Sequence, residues 1–271
     1  SYAKSIIDVA VWDLAAQAAG LPLFTLLGGR TRADMPLYHS ITCIAPDEMA
    51  RIAREAYATG IRQFQVKLGA DDDWQADAER LHKVREAVGA GPLVYGDWNC
   101  GATRLHATRT GRAVSHLDVM LEQPCKTLED CAAVRKATGL AMKIDECAFD
   151  TASLLKAHEL GCLDAVALKL SKFGGISAMK RARDLCLYIG AQICAECTWG
   201  SDIVTAASLH FAASTPRGAL LNTCDLSGYV TPRLCPDGPT RKDGRIAPPD
   251  GVGLGVSPDL DILGSPVLEL N

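Results

Sequence analysis

The stretch "QFQVKLGADDDWQADAERL", residues 63–81, decides how the fold is read. It opens as a short strand in which Phe64 and Val66 alternate with Gln63, Gln65 and Lys67. A glycine, an acidic turn and a helical pattern starting near Trp74 follow at once. Strand, glycine, polar loop and helix make one βα unit. The unit leaves Lys67 at the C-terminal end of its strand. Whether that lysine is a solvated charge or a base depends on what stands at the ends of the neighbouring strands.

The same unit recurs on both sides. "MPLYHSI" (35–41) reads as a strand, and "PDEMARIAREAYATG" (46–60) follows as a helix stopped by Gly60. Beyond the opening stretch come "PLVYGDWN" (92–99) and a helix from about Thr103. "VMLEQP", "AMKIDE", "AVALKLSKFGG", "QICAECTW" and "ALLNTC" supply five further strands, with helices such as "TLEDCAAVRKATG" and "ISAMKRARDLCLYIG" between them. Strand starts fall roughly 25 residues apart, the length of one βα unit. Nearly continuous apolar strands separated by helices predict a parallel sheet buried on both faces. Eight of them predict an α/β, TIM-like (β/α)7β barrel, with a doubly wound open sheet as the alternative. No GxGxxG follows the first strand and no P-loop motif occurs, which weakens the open-sheet alternative.

Residues 1–223 are thus expected to hold the barrel and its leading helix. That leader, "SYAKSIIDVAVWDLAAQAAGLPLFTLLGG", reads as an amphipathic helix ending near Gly20 and a short second turn. Residues 224–271, rich in Pro and Gly, read as a loop-dominated segment that packs on the barrel. The formal net charge of -4, without a basic block, argues against nucleic acid or an anionic membrane as partner. No apolar run approaches the roughly 20 residues of a membrane span. The 11 cysteines are odd in number and irregularly spaced, which predicts reduced, mostly buried thiols in a cytoplasmic protein. Cys194 and Cys197 have CxxC spacing but no second pair, so they too read as buried thiols.

In a parallel barrel the chemistry sits at the C-terminal strand ends. There stand Lys67 on the second strand, Asp97 and Asn99 on the third, and Glu122 on the fourth. The fifth ends in Asp145 and Glu146, the sixth carries Lys169, and the seventh carries Glu196 followed by Trp199. Any one of these acids alone would read as a helix cap. Three carboxylates on consecutive strands would repel one another unless a cation sat between them, and an all-oxygen set suits one Mg2+. Lys67 and Lys169 flank that triplet, one strand before it and one after. A cation near a carboxylate substrate favours loss of its α-proton, and two lysines on opposite faces could remove and deliver protons.

These motifs resemble the enolase superfamily, in the branch of mandelate racemase and muconate-lactonizing enzymes. The resemblance runs from "AKSIIDVAVWDLAAQAAGLPLFTLLGG" to "GLGVSP". It implies Mg2+ ligands at Asp97 of "GDWN", Glu122 of "LEQP" and Asp145 of "IDE". It also implies acid/base lysines at Lys67 and Lys169, with Asn99 and Glu146 as supporting neighbours. Many relatives carry Lys-x-Lys on the second strand, where this chain has Gln65 in place of the first lysine. "RQFQVKLGAD", "LEQPCKTLEDCAAVRK", "KIDEC" and "AECTWGSDI" are similar to a narrower group, the cis-3-hydroxy-L-proline dehydratases. Hydroxyproline-betaine 2-epimerases are the next most similar. The implied substrate is a small cyclic amino acid, the implied assembly a homo-oligomer, and an N-terminal α+β capping domain, on which residues 224–271 would also pack, is expected to be absent from this chain. Glu196, Trp199 and Asp225 are candidates for substrate contact. The strand-eight loop "NTCDLSGYV" offers Asp225 and no Trp, which suits a protonated secondary amine rather than a quaternary one. A 2-epimerase, and an inactive binding protein on the same barrel, are the alternative functions.

Overall fold

The computed structural model describes residues 2–266. The last residues of the C-terminal segment, 267–271, lie outside the described residues. The barrel strands are β1 His39–Ile41, β2 Gln63–Lys67, β3 Leu93–Asp97, β4 Val119–Glu122, β5 Met142–Ile144, β6 Ala165–Lys169, β7 Gln192–Glu196 and β8 Leu220–Thr223. They form one eight-stranded parallel sheet in sequence order. A parallel bridge between Leu37 and Thr223 joins its two edges. The helices longer than two turns are α1 Tyr2–Ala19, α2 Pro46–Ala58, α3 Trp74–Val88, α4 Arg104–Ala113, α5 Leu128–Thr138, α6 Thr151–Glu159, α7 Ile176–Ile189 and α8 Ser201–Ala213. Seven of them, α2 to α8, follow β1 to β7, so the expected (β/α)7β order is the observed one.

Local chemistry fixes the helix starts. Pro46 sits in the first turn of α2, where its missing N–H costs nothing, with Asp47 and Glu48 beside it at the positive end of the helix dipole. Thr103, Thr127 and Asp150 cap α4, α5 and α6 through their side-chain oxygens. Gly60, after α2, has φ +94, and a Cβ there would stand 2.5 Å from the Asp243 carbonyl carbon. Only glycine allows both that conformation and that approach.

The strand-helix layer buries Val66, Val94, Leu121, Ile144, Val166, Leu168 and Ile193 against the helices. The interior face alternates with these positions, as a period of two requires. Tyr95, Met120 and Ala165 plug its lower part. Gln65, Asp97, Glu122, Lys143 and Glu196 share the same face and are all buried. The C-terminal segment returns to the leader. Arg245–Ile246 pairs with Met35–Pro36 and with Arg241–Lys242 in a small antiparallel sheet. Further on, Gly253 pairs with Pro22.

The leading helix departs from the amphipathic expectation. Only Ser5 and Ala16 of α1 are buried, while Tyr2, Ile6, Ile7, Val11 and Leu14 are exposed. It is held by polar anchors at the start of α7. Asp8 accepts from the Ser177 amide at 2.9 Å, and Trp12 Nε1 donates to Ser177 Oγ at 2.8 Å.

Candidate active site

Strand register lines up the mouth of the barrel. Lys67 pairs with Asp97, Asp97 with Glu122, and Glu122 with Lys143, so four side chains in one row point inward. Asp145 lies two residues beyond Lys143, on the same face but past the end of β5. The three carboxylates therefore do not occupy one level. Asp97 and Glu122 are abreast, and Asp145 stands further toward solvent. Left-handed turns follow the first two at once, with φ +45 at Asn99 and φ +31 at Gln123. Such strain in non-glycine residues collects at functional sites.

The carboxylates are engaged as follows. Asp97 Oδ2 accepts from Lys67 Nζ at 2.5 Å and from Gln65 Nε2 at 3.0 Å, and its Oδ1 accepts from the Asn99 amide at 2.8 Å. Gln65 Nε2 also donates to Glu122 Oε2 at 2.8 Å, joining the two acids. Asp145 accepts from Lys169 at 2.5 Å and from Lys172 at 2.7 Å. Asn99 accepts from Lys67 at 2.9 Å and donates to Glu146 at 3.0 Å, tying the β3 loop to the β5 loop. Glu196 faces Lys143 at 2.6 Å and Lys169 at 3.5 Å.

Burial, then the neighbouring Asp97, pushes the Glu122 carboxyl up to about 8. Burial opposes the charge on Asp145, yet Lys172 and Lys169 hold its carboxyl below the usual range. Burial likewise works against the Lys169 ammonium, and Glu196 and Asp145 outweigh it, so Lys169 is held protonated.

A cavity of about 310 Å³ opens here, lined by Tyr38, Gln65, Lys67, Asp145, Lys169, Glu196, Trp199 and Tyr229 among others. Trp199 and Tyr229 meet edge to face at 6.5 Å on its rim. A larger groove, about 510 Å³, lies between α2 and the small sheet, away from the carboxylate-bearing strand ends. Asp225 is not on the cavity wall. Its carboxylate is taken up by Arg241 at 2.6 Å, Ser227 at 2.7 Å and the Gly228 amide at 3.1 Å.

Among the described residues no three His, Cys, Asp or Glu side chains converge closely enough to hold a metal ion. The physical reason is visible in the pairing: ammonium groups from Lys67, Lys169 and Lys172 neutralise the acids that a cation would draw together. The donor set still fits Mg2+. Three buried carboxylates supply hard oxygens at the ends of adjacent strands, and the Glu122 Oε1 among them is faced by the Lys143 ammonium at 2.8 Å.

Three participants were missed from the sequence. Lys143, fully buried, is two residues before Asp145 and so on its face, a period-two signal that was there to be read. Lys172 follows Lys169 by one helical turn, within Leu170–Phe173. Gln123 accepts from the Asp145 and Cys147 amides at 3.0 and 3.2 Å, and its side chain fixes the two acid-bearing loops together. All 11 cysteines are free, eight of them buried, Cys194 and Cys197 included. No helix among the described residues is long and apolar enough to cross a membrane.

Residues 48–262 match the model of the enolase C-terminal domain-like family. The chain is 41% identical to a cis-3-hydroxy-L-proline dehydratase of Roseibium aggregatum over 98% of its own length and 72% of the relative's. It is 27% identical to an N-succinyl-L-Arg/Lys racemase of Bacillus cereus, covering 83% of this chain and 61% of that one. A mandelate racemase/muconate-lactonizing-type structure from Roseovarius nubinhibens, complexed with magnesium, superposes with a TM-score of 0.92 at 34% identity. That alignment covers 98% of this chain and 74% of the other. With eight strands closing in order, acids and lysines at their C-terminal ends and these matches, the chain belongs to the enolase superfamily of enzymes, in its mandelate racemase/muconate-lactonizing branch.

Proposed function

We propose that the protein is a Mg2+-dependent hydro-lyase that removes water from a cyclic 3-hydroxy amino acid, with cis-3-hydroxy-L-proline as substrate and Δ1-pyrroline-2-carboxylate as product. The observation that carries this reading is the pair of lysines, Lys67 and Lys169, in one cavity and on either side of the acids. The similarity to a cis-3-hydroxy-L-proline dehydratase supports the substrate.

Asp97, Glu122 and Asp145 would hold the Mg2+. When bound, it supplies positive charge that favours loss of the substrate's α-proton. In cis-3-hydroxy-L-proline the C3 hydroxyl and the C2 hydrogen lie on opposite ring faces, so their loss is an anti elimination. Lys67, released from Asp97 as the free amine, takes the C2 proton on one face. Lys169, kept as ammonium by Asp145 and Glu196, gives a proton to the departing hydroxyl on the other. The C2–C3 double bond forms as the C3–O bond breaks, and the resulting enamine tautomerises to the cyclic imine. Asn99 and Glu146 steady the Lys67 side. Trp199 and Tyr229 form the rim, and Glu196 on the wall would face the substrate ammonium.

A proton NMR time course in D2O with Mg2+ and cis-3-hydroxy-L-proline tests this. Pyrroline carboxylate is expected, and Lys67→Ala or Lys169→Ala should lower turnover by about 10²–10⁴-fold. C2 exchange with the hydroxyl retained would instead make the enzyme a 2-epimerase, a reading that the racemase relative favours. A Lys169→Ala variant that dehydrates at the normal rate would remove Lys169 from the acid role.

A further inference from the structure

We propose that Lys143 is a positioning residue: a fixed internal cation that orients Glu122 for the metal and holds Glu196 away from it. The inference rests on the metal-binding reading above. Lys143 has zero exposure and does not line the cavity, so it touches neither substrate nor solvent. Its Nζ lies 2.8 Å from Glu122 Oε1, outside hydrogen-bond geometry, and 2.6 Å from Glu196 Oε1. The ammonium also sits over the rings of Tyr95, at 4.8 Å, and Tyr38, at 5.5 Å. Aromatic faces and two carboxylates surround it on the inner side of the barrel. Stripping water from an ammonium costs several kcal/mol, so a lysine at this depth keeps its place only where anions compensate it.

The consequence falls on Glu122. Gln65 grips one of its oxygens and Lys143 stands against the other, so the carboxylate cannot rotate. Gln65 is neutral, and Lys143, abreast of Glu122 in the strand register, is the cation in contact with both Glu122 and Glu196. Lys67 and Lys169, which are partly exposed at the rim, remain available to a substrate. Partners that orient a metal ligand from behind are worth about 10–100-fold in metal affinity.

The test uses Mn2+ as probe, with free Mn2+ followed by electron paramagnetic resonance on the purified chain. Lys143→Met keeps the length and removes the charge, and it should raise the Kd about 10–100-fold. The double variant Lys143→Met/Glu196→Gln removes the acid left uncompensated, restores the charge balance and should still bind at least about tenfold more weakly. Circular dichroism checks that both fold. Recovery of wild-type affinity in the double variant, or a change below about twofold in the single one, would overturn the positioning role. Loss of folding in both variants would make Lys143 structural and equally overturn it. If the folded wild-type chain binds no Mn2+, the metal-binding reading itself fails and the Lys143 role with it.

Discussion

Asp225 stands just past the end of β8 with its carboxylate already committed to Arg241, Ser227 and the Gly228 amide. A buried acid held by three donors pins the loop that carries Leu226 and Tyr229, both on the cavity wall. Arg241 in turn lies over the Tyr229 ring at 4.8 Å. Asp225→Asn keeps the shape and loses the charge-assisted bond, so it should cost about 1–3 kcal/mol of stability. Thermal unfolding will read that loss, and Mn2+ affinity should stay unchanged. A fall in metal affinity without a fall in melting temperature would place Asp225 in the site after all. The neighbouring lesson is about lysines. Lys67 and Lys169 were legible because each ends its strand, whereas Lys143 was passed over inside one. The pairing of Asp225 with Arg241 was not legible at all, since nothing in the loop spacing says which guanidinium will fold back onto the acid.

At the level of elements, α8 joins distant parts of the chain through His210. Phe24 N–H donates to His210 Nδ1 at 3.2 Å, and Nε2 lies 3.1 Å from the Leu254 carbonyl. With a donor fixed on one side and an acceptor on the other, the ring is the neutral Nε2–H tautomer. Protonation would set a second N–H against that of Phe24. Burial pushes the imidazole down to about 4, while Leu254, Asp13 and Asp250 pull it up and Arg30 opposes them. In the unfolded chain the group titrates near 6.5. Between those values the unfolded state binds the extra proton, so stability rises with pH and is lost as pH falls through the window. Urea unfolding should show a loss of about 2 kcal/mol from this group between pH 7 and pH 5, and roughly 3 kcal/mol below pH 4. His210→Gln should flatten that part of the profile, and an unchanged profile would assign the pH dependence elsewhere. The barrel strands and helices were readable because buried parallel strands are apolar throughout and their helices carry caps and glycine stops. The α1 surface was not. Its apolar residues suggested a buried face, but only Ala16, Val9 and Trp12 pack on the core, and bonds to Ser177 and Leu254 hold the helix beside them.

Across the whole molecule, the acids that would hold Mg2+ come from three strands, and the lysines that neutralise them come from β2, β6 and the turn after β6. The mouth is therefore a ring of compensating charges whose members depend on closure of the complete barrel. An unfolded chain cannot present Asp97, Glu122 and Asp145 together, so a cation held by them binds the native state alone. Linkage then requires stabilisation: Mg2+ at ten times its Kd should add about 1.4 kcal/mol to the unfolding free energy. Scanning calorimetry with and without Mg2+ reads this as a rise in Tm that follows the logarithm of concentration. Asp97→Asn removes one ligand charge and should abolish most of the rise. Substituting an exposed acid such as Glu55, far from the mouth, should leave it intact. An equal rise in wild type and Asp97→Asn would mean that the ion acts on surface charge in general. No rise in the wild type would mean that Lys67, Lys169 and Lys172 outcompete the ion, and the barrel would then be read as a binding protein balanced by its own lysines.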